Sequence, residues 1–326
     1  MLAAALMLAF PASSGSGDRP ARVPAEPDGM LVLAVLSPER AMVADPRTGA
    51  ATARALPGGT LCYGPLLAAG DRVVFFGLRG RRVVPRALPL RGDGPAVALG
   101  PADTIAESPT PGRLWLSRWT PLRGRVGRLS LREIDAHGRV VDRARWLLPR
   151  WATQNAILGD GSLLISRGRG LVLRRPDGSR RLFRGGWPLA AGGDRFAWHR
   201  YGSRRLRLWI DDEERSFDPP GRWRPDVGGG GAFSPDGTRL ALPVRTRSGS
   251  RVAVLDLERG AWRLVPGGRV GDYKAIAWSP SGRWLYFSRG KNVLAARDGV
   301  GSARRLPIRT RGTVMSIAST RGSAAR

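Results

Sequence analysis

The sequence is poor in the side chains that most often do chemistry. Cys62 is the only cysteine, so neither an intrachain disulfide nor a cysteine-based metal site can form, and the lone thiol reads as a small buried apolar group. His137 and His199 are the only histidines, which excludes a multi-histidine metal centre. Lysine is confined to Lys274 and Lys291. Acids are scarce too: 26 Asp and Glu face 54 Lys and Arg, for a net charge of +28. There is no long helical period, and after the first residues no segment approaches the roughly 18 apolar residues of a membrane span. "GLRGRR" lacks the Lys-Ser/Thr and the helix of a phosphate-binding loop, and the chain has no Gly-x-Ser-x-Gly elbow.

What is abundant is punctuation. The chain has 44 Gly, 26 Pro and 11 Trp, and short apolar runs alternate with Gly, Pro, Asp and Ser, the grammar of many short strands. The opening "MLAAALMLAFPASSGSGDRP" reads as a secretory signal, with Ala12 and Ser14 at the −3 and −1 positions of a cleavage site, although no basic residue precedes the apolar run. The expected organisation is a signal peptide at 1–14, a linker at 15–28, a folded unit at 29–319 and a disordered tail at 320–326. No cysteine follows the apolar run, which argues against a lipid anchor.

"AFSPDGTRLALPV", from Ala232, and "AWSPSGRWLYFSR", from Ala277, repeat one pattern 45 residues apart. Ser234-Pro235-Asp236-Gly237 is turn chemistry: Pro presets φ, Asp suits the next position and Gly tolerates positive φ at the exit. The flanking runs make a hairpin, and "RVAVLDL", "ERG" and "AWRLV" complete a unit of four strands, A to D. Such a unit at this period points to propeller blades. "SPTPGRLWLSR" keeps the same step, and "AAGDRVVFFG", "ILGDGSLLISR" and "AAGGDRFAWHR" keep the A–B hairpin. The B strand is apolar on both faces in several copies, as expected of a sheet stacked between two others. "MLVLAVLSPERAMVADPRTGAATARAL" supplies strands B, C and D without an A strand, and "TVMSIAS" near the C-terminus is an A strand without a B. Joined, they complete a seventh blade and close the ring, at about 41 residues per blade. The expectation is an all-β, seven-bladed propeller, with six or eight blades as alternatives.

"AFSPDGTRLAL" and "AWSPSGRWLYF" resemble the repeat of TolB-type propellers and, more distantly, of WD-repeat proteins, whose Gly-His and Trp-Asp dipeptides are missing. The resemblance implies a propeller fold and, by analogy, an exported bacterial protein that binds other proteins. It also evokes the propeller lids of serine peptidases. It carries over no functional residue.

Strands running alternately up and down put the A–B and C–D turns on one face, and the B–C turns and D-to-A crossovers on the other. The first, the turn face, collects Asp71, Asp160, Asp194, Asp236, Asp45, Asp135, Asp177, Asp211 to Glu214, Asp256 and Asp298. The second, the crossover face, has B–C turns "RGRR" (79–82), "RWTPLRGR" (118–125), "RGRG" (167–170), "HRYGSRR" (199–205), "RTRSGSR" (245–251) and "RGK" (289–291). Sixteen of these 33 residues are basic and none is acidic. Two explanations compete: an abundance of Arg with ordinary Asp-Gly turn chemistry, or a functional basic ring. Taken as a ring, the candidate binding residues are Arg79, Arg81, Arg82, Arg123, Arg125, Arg200, Arg204, Arg245, Arg247, Arg251 and Lys291. Trp119, Trp151, Trp187, Tyr201, Trp223 and Tyr273 supply flat rings among them; packing wedges are the competing explanation of these aromatics. The Gly-rich crossover "PPGRWRPDVGGGG" reads as a segment free to move over the channel mouth or as a slack linker.

The acids assigned to the crossover face, Asp103, Glu107, Asp226 and Asp272, come from separate blades, a weak signal for catalysis. "DDEE" at 211–214 reads as a solvated hairpin tip rather than a metal site. The sequence therefore supports an exported, non-catalytic, monomeric binding or scaffold propeller, located in the periplasm, on the cell wall or outside the cell. It uses no cofactor or metal and meets a protein or an anionic envelope polymer. The alternatives are a cytoplasmic nucleic-acid-binding propeller and a propeller hydrolase or lyase with acids at the channel mouth.

Overall fold

A computed structural model describes residues 26–320, apart from 37–39, 56–65, 70–71, 80–81, 90–93, 109, 111, 123–125, 136, 150–152, 168–169, 201 and 227–229. The signal-peptide segment, Cys62 and the C-terminal tail after 320 lie outside the described residues. The repeated motif folds as its chemistry requires. The Ser234 N–H donates to the Arg239 carbonyl at 2.9 Å, the Arg239 N–H returns a bond to Ser234 Oγ at 2.9 Å, and Gly237 takes φ of 70°. The same closure recurs between Ser279 and Trp284 at 2.8 Å and between Ser108 and Arg113 at 3.2 Å. The serine is thus the latch of an A–B hairpin, and the glycine sits where a β-carbon would be strained.

Seven antiparallel sheets result. In the first blade the C-terminal strand Thr313–Thr320 pairs with Met30–Leu36, followed outward by Arg40–Ala44 and Ala51–Ala55. The chain's two ends therefore share one sheet. The inner strands touch in turn, from Leu67–Ala69 through Thr104–Glu107, Thr153–Ile157, Trp187–Gly192, Ala232–Phe233 and Ile276–Trp278 to Thr313–Thr320, which touches Leu67–Ala69 again. The ring is closed, and no inner sheet is left at an open end.

The core follows from the two-residue period of the B strands. Leu31 and Leu33 pack between the seventh and first blades, while Val32 and Ala34, on the other side of the same strand, pack between the first and second. Leu240, Leu242 and Val244 likewise face the fifth blade, and Ala241 faces the seventh. The buried clusters lie one at each junction between neighbouring blades. Each fully buried Leu or Val contributes roughly 1.5–3 kcal/mol, so stability is distributed around the ring.

Polar bolts add to this on the turn face. Arg195, at the start of one B strand, donates to the Gly237 carbonyl of the next blade at 2.6 Å, and Arg239, at the equivalent position one blade on, donates to the Gly282 carbonyl at 2.9 Å. The Trp115 indole N–H reaches the Gly159 carbonyl at 2.8 Å, and that of Trp278 reaches the Ala232 carbonyl at 3.0 Å.

One inner strand is interrupted. In the sixth blade it consists of Arg224–Pro225 and Ala232–Phe233, both paired with Arg239–Thr246. The Gly-rich crossover is therefore not a slack linker at either end: the Asp226 N–H donates to the Pro243 carbonyl at 2.9 Å and the Gly231 N–H to the Leu189 carbonyl at 2.6 Å. A β-carbon on Gly231 would stand 2.9 Å from the Ala241 carbonyl oxygen, so this close approach needs glycine.

Candidate binding face

The crossover face is built from strand ends. Residues 199–205 and 245–251 link B to C strands in the fifth and sixth blades, and 270–275 carries the chain from the sixth blade to the seventh. Extended hairpin tips cannot bury long side chains, so their arginines project unless a carboxylate intervenes. Arg200, Arg247 and Lys291 are exposed, and no ion pair joins any of them to a described carboxylate. Arg245 is 73% exposed. Arg204 is exposed and donates to the Gly221 carbonyl, while Arg251 is half-buried. The neighbouring Arg205 behaves differently. It forms a two-pronged bond to Asp218 at 2.9 and 2.8 Å, which holds that carboxyl below its ordinary range.

Arg79 and Arg82 close a tight B–C hairpin by pairing across it, and their side chains lie outside the described residues, as do Arg81, Arg123, Arg125, Trp151 and Tyr201 altogether. The remaining aromatics divide. Trp187 and Tyr273 are 47% and 38% exposed. Trp119 lies over Gly127, whose missing side chain leaves room for the indole, and Trp223 packs against the cluster between the fifth and sixth blades. These two are packing wedges, and the first two present aromatic surface beside the arginines.

Sequence reasoning treated Asp226 only as a scattered acid. The structure makes it a hub. Its side chain is 1% exposed and receives Lys274 Nζ at 2.8 Å, Ser250 Oγ at 2.6 Å and Arg245 Nε at 3.5 Å. Lys274, itself only 11% exposed, holds a positive φ of 49° that a non-glycine residue rarely adopts. One carboxylate thus ties the crossover into the sixth blade, the B–C hairpin of that blade and the crossover out of it. With both oxygens engaged, it organises the loops. The only hint in the sequence is that Lys274 is one of just two lysines.

The other acids do not join it. Asp103 accepts the backbone N–H of Trp119 at 2.5 Å within its own blade, and Asp272 is exposed on the crossover from the sixth blade. Glu107 is misplaced by the sequence reading. It is the last residue of the inner strand Thr104–Glu107, so it stands at the turn-face end of the channel wall, beside Ser108. Protein crowds it on most sides and raises its pKa, although its side chain still meets solvent. The "DDEE" tip is a row of ion pairs: Asp212 with Arg175, Glu213 with Arg215 and Glu214 with Arg207. Among the described residues no group of three or more His, Cys, Asp and Glu gathers to hold a metal ion, and no helix is long and apolar enough to cross a membrane.

No family model matches the chain, and no curated protein does either. Solved structures do. TolB from Acinetobacter baumannii superposes with a TM-score of 0.54 at 12% identity, over 90% of this chain and 67% of that one. A candidate 6-phosphogluconolactonase from Bacteroides uniformis gives 0.58 at 13% identity, over 90% of this chain and all of the other, its coverage being 100%. An acylaminoacyl peptidase, solved with Z-Gly-Gly-Phe-chloromethyl ketone, gives 0.57 at 12% identity; 82% of this chain spans 47% of the peptidase. These neighbours correct one expectation. Proteins named as enzymes share this architecture, so the fold gives no ground for setting the chain down as non-catalytic. At such identities the likeness is one of fold alone, and it bears out the resemblance read from the repeat: in fold, this chain is a TolB-like, seven-bladed β-propeller.

Proposed function

We propose that the chain is a binding module whose crossover face receives a densely negative partner, an acidic protein surface or an anionic polymer of the cell envelope. The observation that carries this reading is the contrast in pairing. Arg200, Arg247 and Lys291 project with no described carboxylate beside them, and Arg245 stays largely exposed although it touches Asp226. Unpaired guanidinium groups on a rigid rim attract polyanions at long range and grip their oxyanions at short range. The Asp226 hub supports the same reading, because it fixes the hairpin that carries Arg245 and Arg247. Action outside the cytoplasm rests on the apolar opening segment with Ala12 and Ser14 at its end; a mature N-terminus near Gly15 in the exported fraction is the expected observation.

The test is retention on immobilised heparin as salt rises. Binding through released counterions falls steeply with ionic strength. Retention that ignores salt from about 50 to about 500 mM removes the reading. Nucleic acid is the second reading, favoured by the exposed rings of Trp187 and Tyr273 among the cations. A Trp187→Ala variant that loses a single-stranded oligonucleotide while keeping heparin selects it. Equal retention of both ligands by that variant removes it.

A further inference from the structure

The seam where the ring closes holds a groove that opens beside the crossover face, lined by residues other than the hairpin cations named above. It lies between the first blade and the segment that leaves the seventh, with a volume of about 450 Å³, within the size range of small-ligand sites. The leaving segment carries no strand, but its burial alternates and sorts its side chains. Ile308 is buried against the seam core, and Thr310 Oγ1 donates to the Lys291 carbonyl at 2.6 Å, whereas Arg309 and Arg311 line the groove. Arg40, on the facing blade, lines it as well. No ion pair joins any of the three to a carboxylate among the described residues.

The rest of the wall is apolar. Met42 is buried beneath it, and the outermost strand of the blade presents Ala51 and Ala53, small residues that leave the space unfilled. Gly49 shuts one end: its φ is 75°, and a β-carbon there would stand 2.6 Å from the Pro307 carbonyl oxygen, so the two blades touch at that point. The result is a cleft with a closed apolar end and three guanidinium groups.

We propose that this groove binds an organic phosphate monoester, its dianionic head held by Arg40, Arg309 and Arg311 and its apolar body lying over Met42, Ala51 and Ala53. Three guanidinium forks match a head with three terminal oxygens and double charge better than a single carboxylate. An apolar body excludes inorganic phosphate as the natural occupant. A ligand seated here bridges the first and seventh blades, so it stabilises the closed ring by mass action.

Calorimetric titration of the full chain with phenyl phosphate tests the proposal, with inorganic phosphate and benzoate as comparators and melting temperature as a second readout. Phenyl phosphate is expected to bind and to raise the melting temperature, and to bind about tenfold or more weakly to Arg309→Ala, which lacks one charge-assisted contact. Ala53→Leu fills the groove without changing charge. It is expected to lose phenyl phosphate while its melting temperature and heparin retention stay as in the parent, which separates this site from the binding face. Equal binding of inorganic phosphate or benzoate overturns the proposal, as does unchanged phenyl phosphate binding by both variants. Vesicles with and without phosphatidic acid distinguish the sources: retention on the former alone assigns a lipid headgroup, and binding of the soluble ester alone assigns a free small molecule. A chain that takes neither overturns the proposal.

Discussion

The two faces of the ring carry basic side chains to different ends. On the turn face several arginines are used within the structure: Arg195 and Arg239 each fasten a blade to the next through a backbone carbonyl, Arg175 reaches Asp212 in the neighbouring blade, and Arg47 closes on Asp45 at 3.0 Å, while Arg139, Arg259 and Arg283 stay exposed there. On the crossover face Arg200, Arg247 and Lys291 end in solvent. The difference teaches that charge must be counted after local pairing, since a paired guanidinium contributes little to the field seen by a distant partner.

The largest effect expected from breaking this comparison lies at Asp226. Asp226→Ala strands a nearly buried lysine and should cost about 3–5 kcal/mol in urea unfolding; a loss under about 1 kcal/mol would show that the hub is not structural. Next comes the face itself. Arg200→Ala, Arg247→Ala and Lys291→Ala combined should lower the slope of log affinity against log salt on heparin by about two, at nearly unchanged stability. An unaltered slope would mean that these cations are spectators.

The converse experiment is Arg239→Ala on the turn face. It should cost about 1.5–3 kcal/mol through the lost charge-assisted bonds to the next blade and leave heparin retention where it was. A variant that keeps its stability and loses retention would reverse the roles assigned to the two faces. The smallest effect belongs to Asp45, whose carboxyl is held below its ordinary pKa of 3.8 first by the Arg47 side chain. A depressed folded pKa gives stability that is present above the unfolded value and lost as pH falls through the folded one. Asp45→Asn should therefore remove under about 1 kcal/mol at neutral pH, since this pair is exposed, and flatten the stability profile only below about pH 4.

Much of the architecture was legible because each blade repeats a local rule. The Ser234-to-Gly237 turn, the two-sided B strand and the orphan strand Thr313–Thr320 each announce themselves within a dozen residues. The site was less legible. Asp226 depends on Ser250 and Lys274, which come from two other segments and meet only when the sixth blade has folded. Glu107 was assigned to the wrong end of the channel because its strand is only 4 residues long, so a small error in strand bounds changes the face. The pinned crossover escaped notice since glycines suggest freedom, whereas Gly231 is there for close packing.

The shared sheet of the two termini also sets an order of events. Met30–Leu36 cannot gain its inner neighbour until Thr313–Thr320 has been made, so the first blade to be synthesised is the last to be completed. Such distant pairing is slow and leaves an apolar strand edge waiting. Until then the ring stays open, whatever the other blades have done.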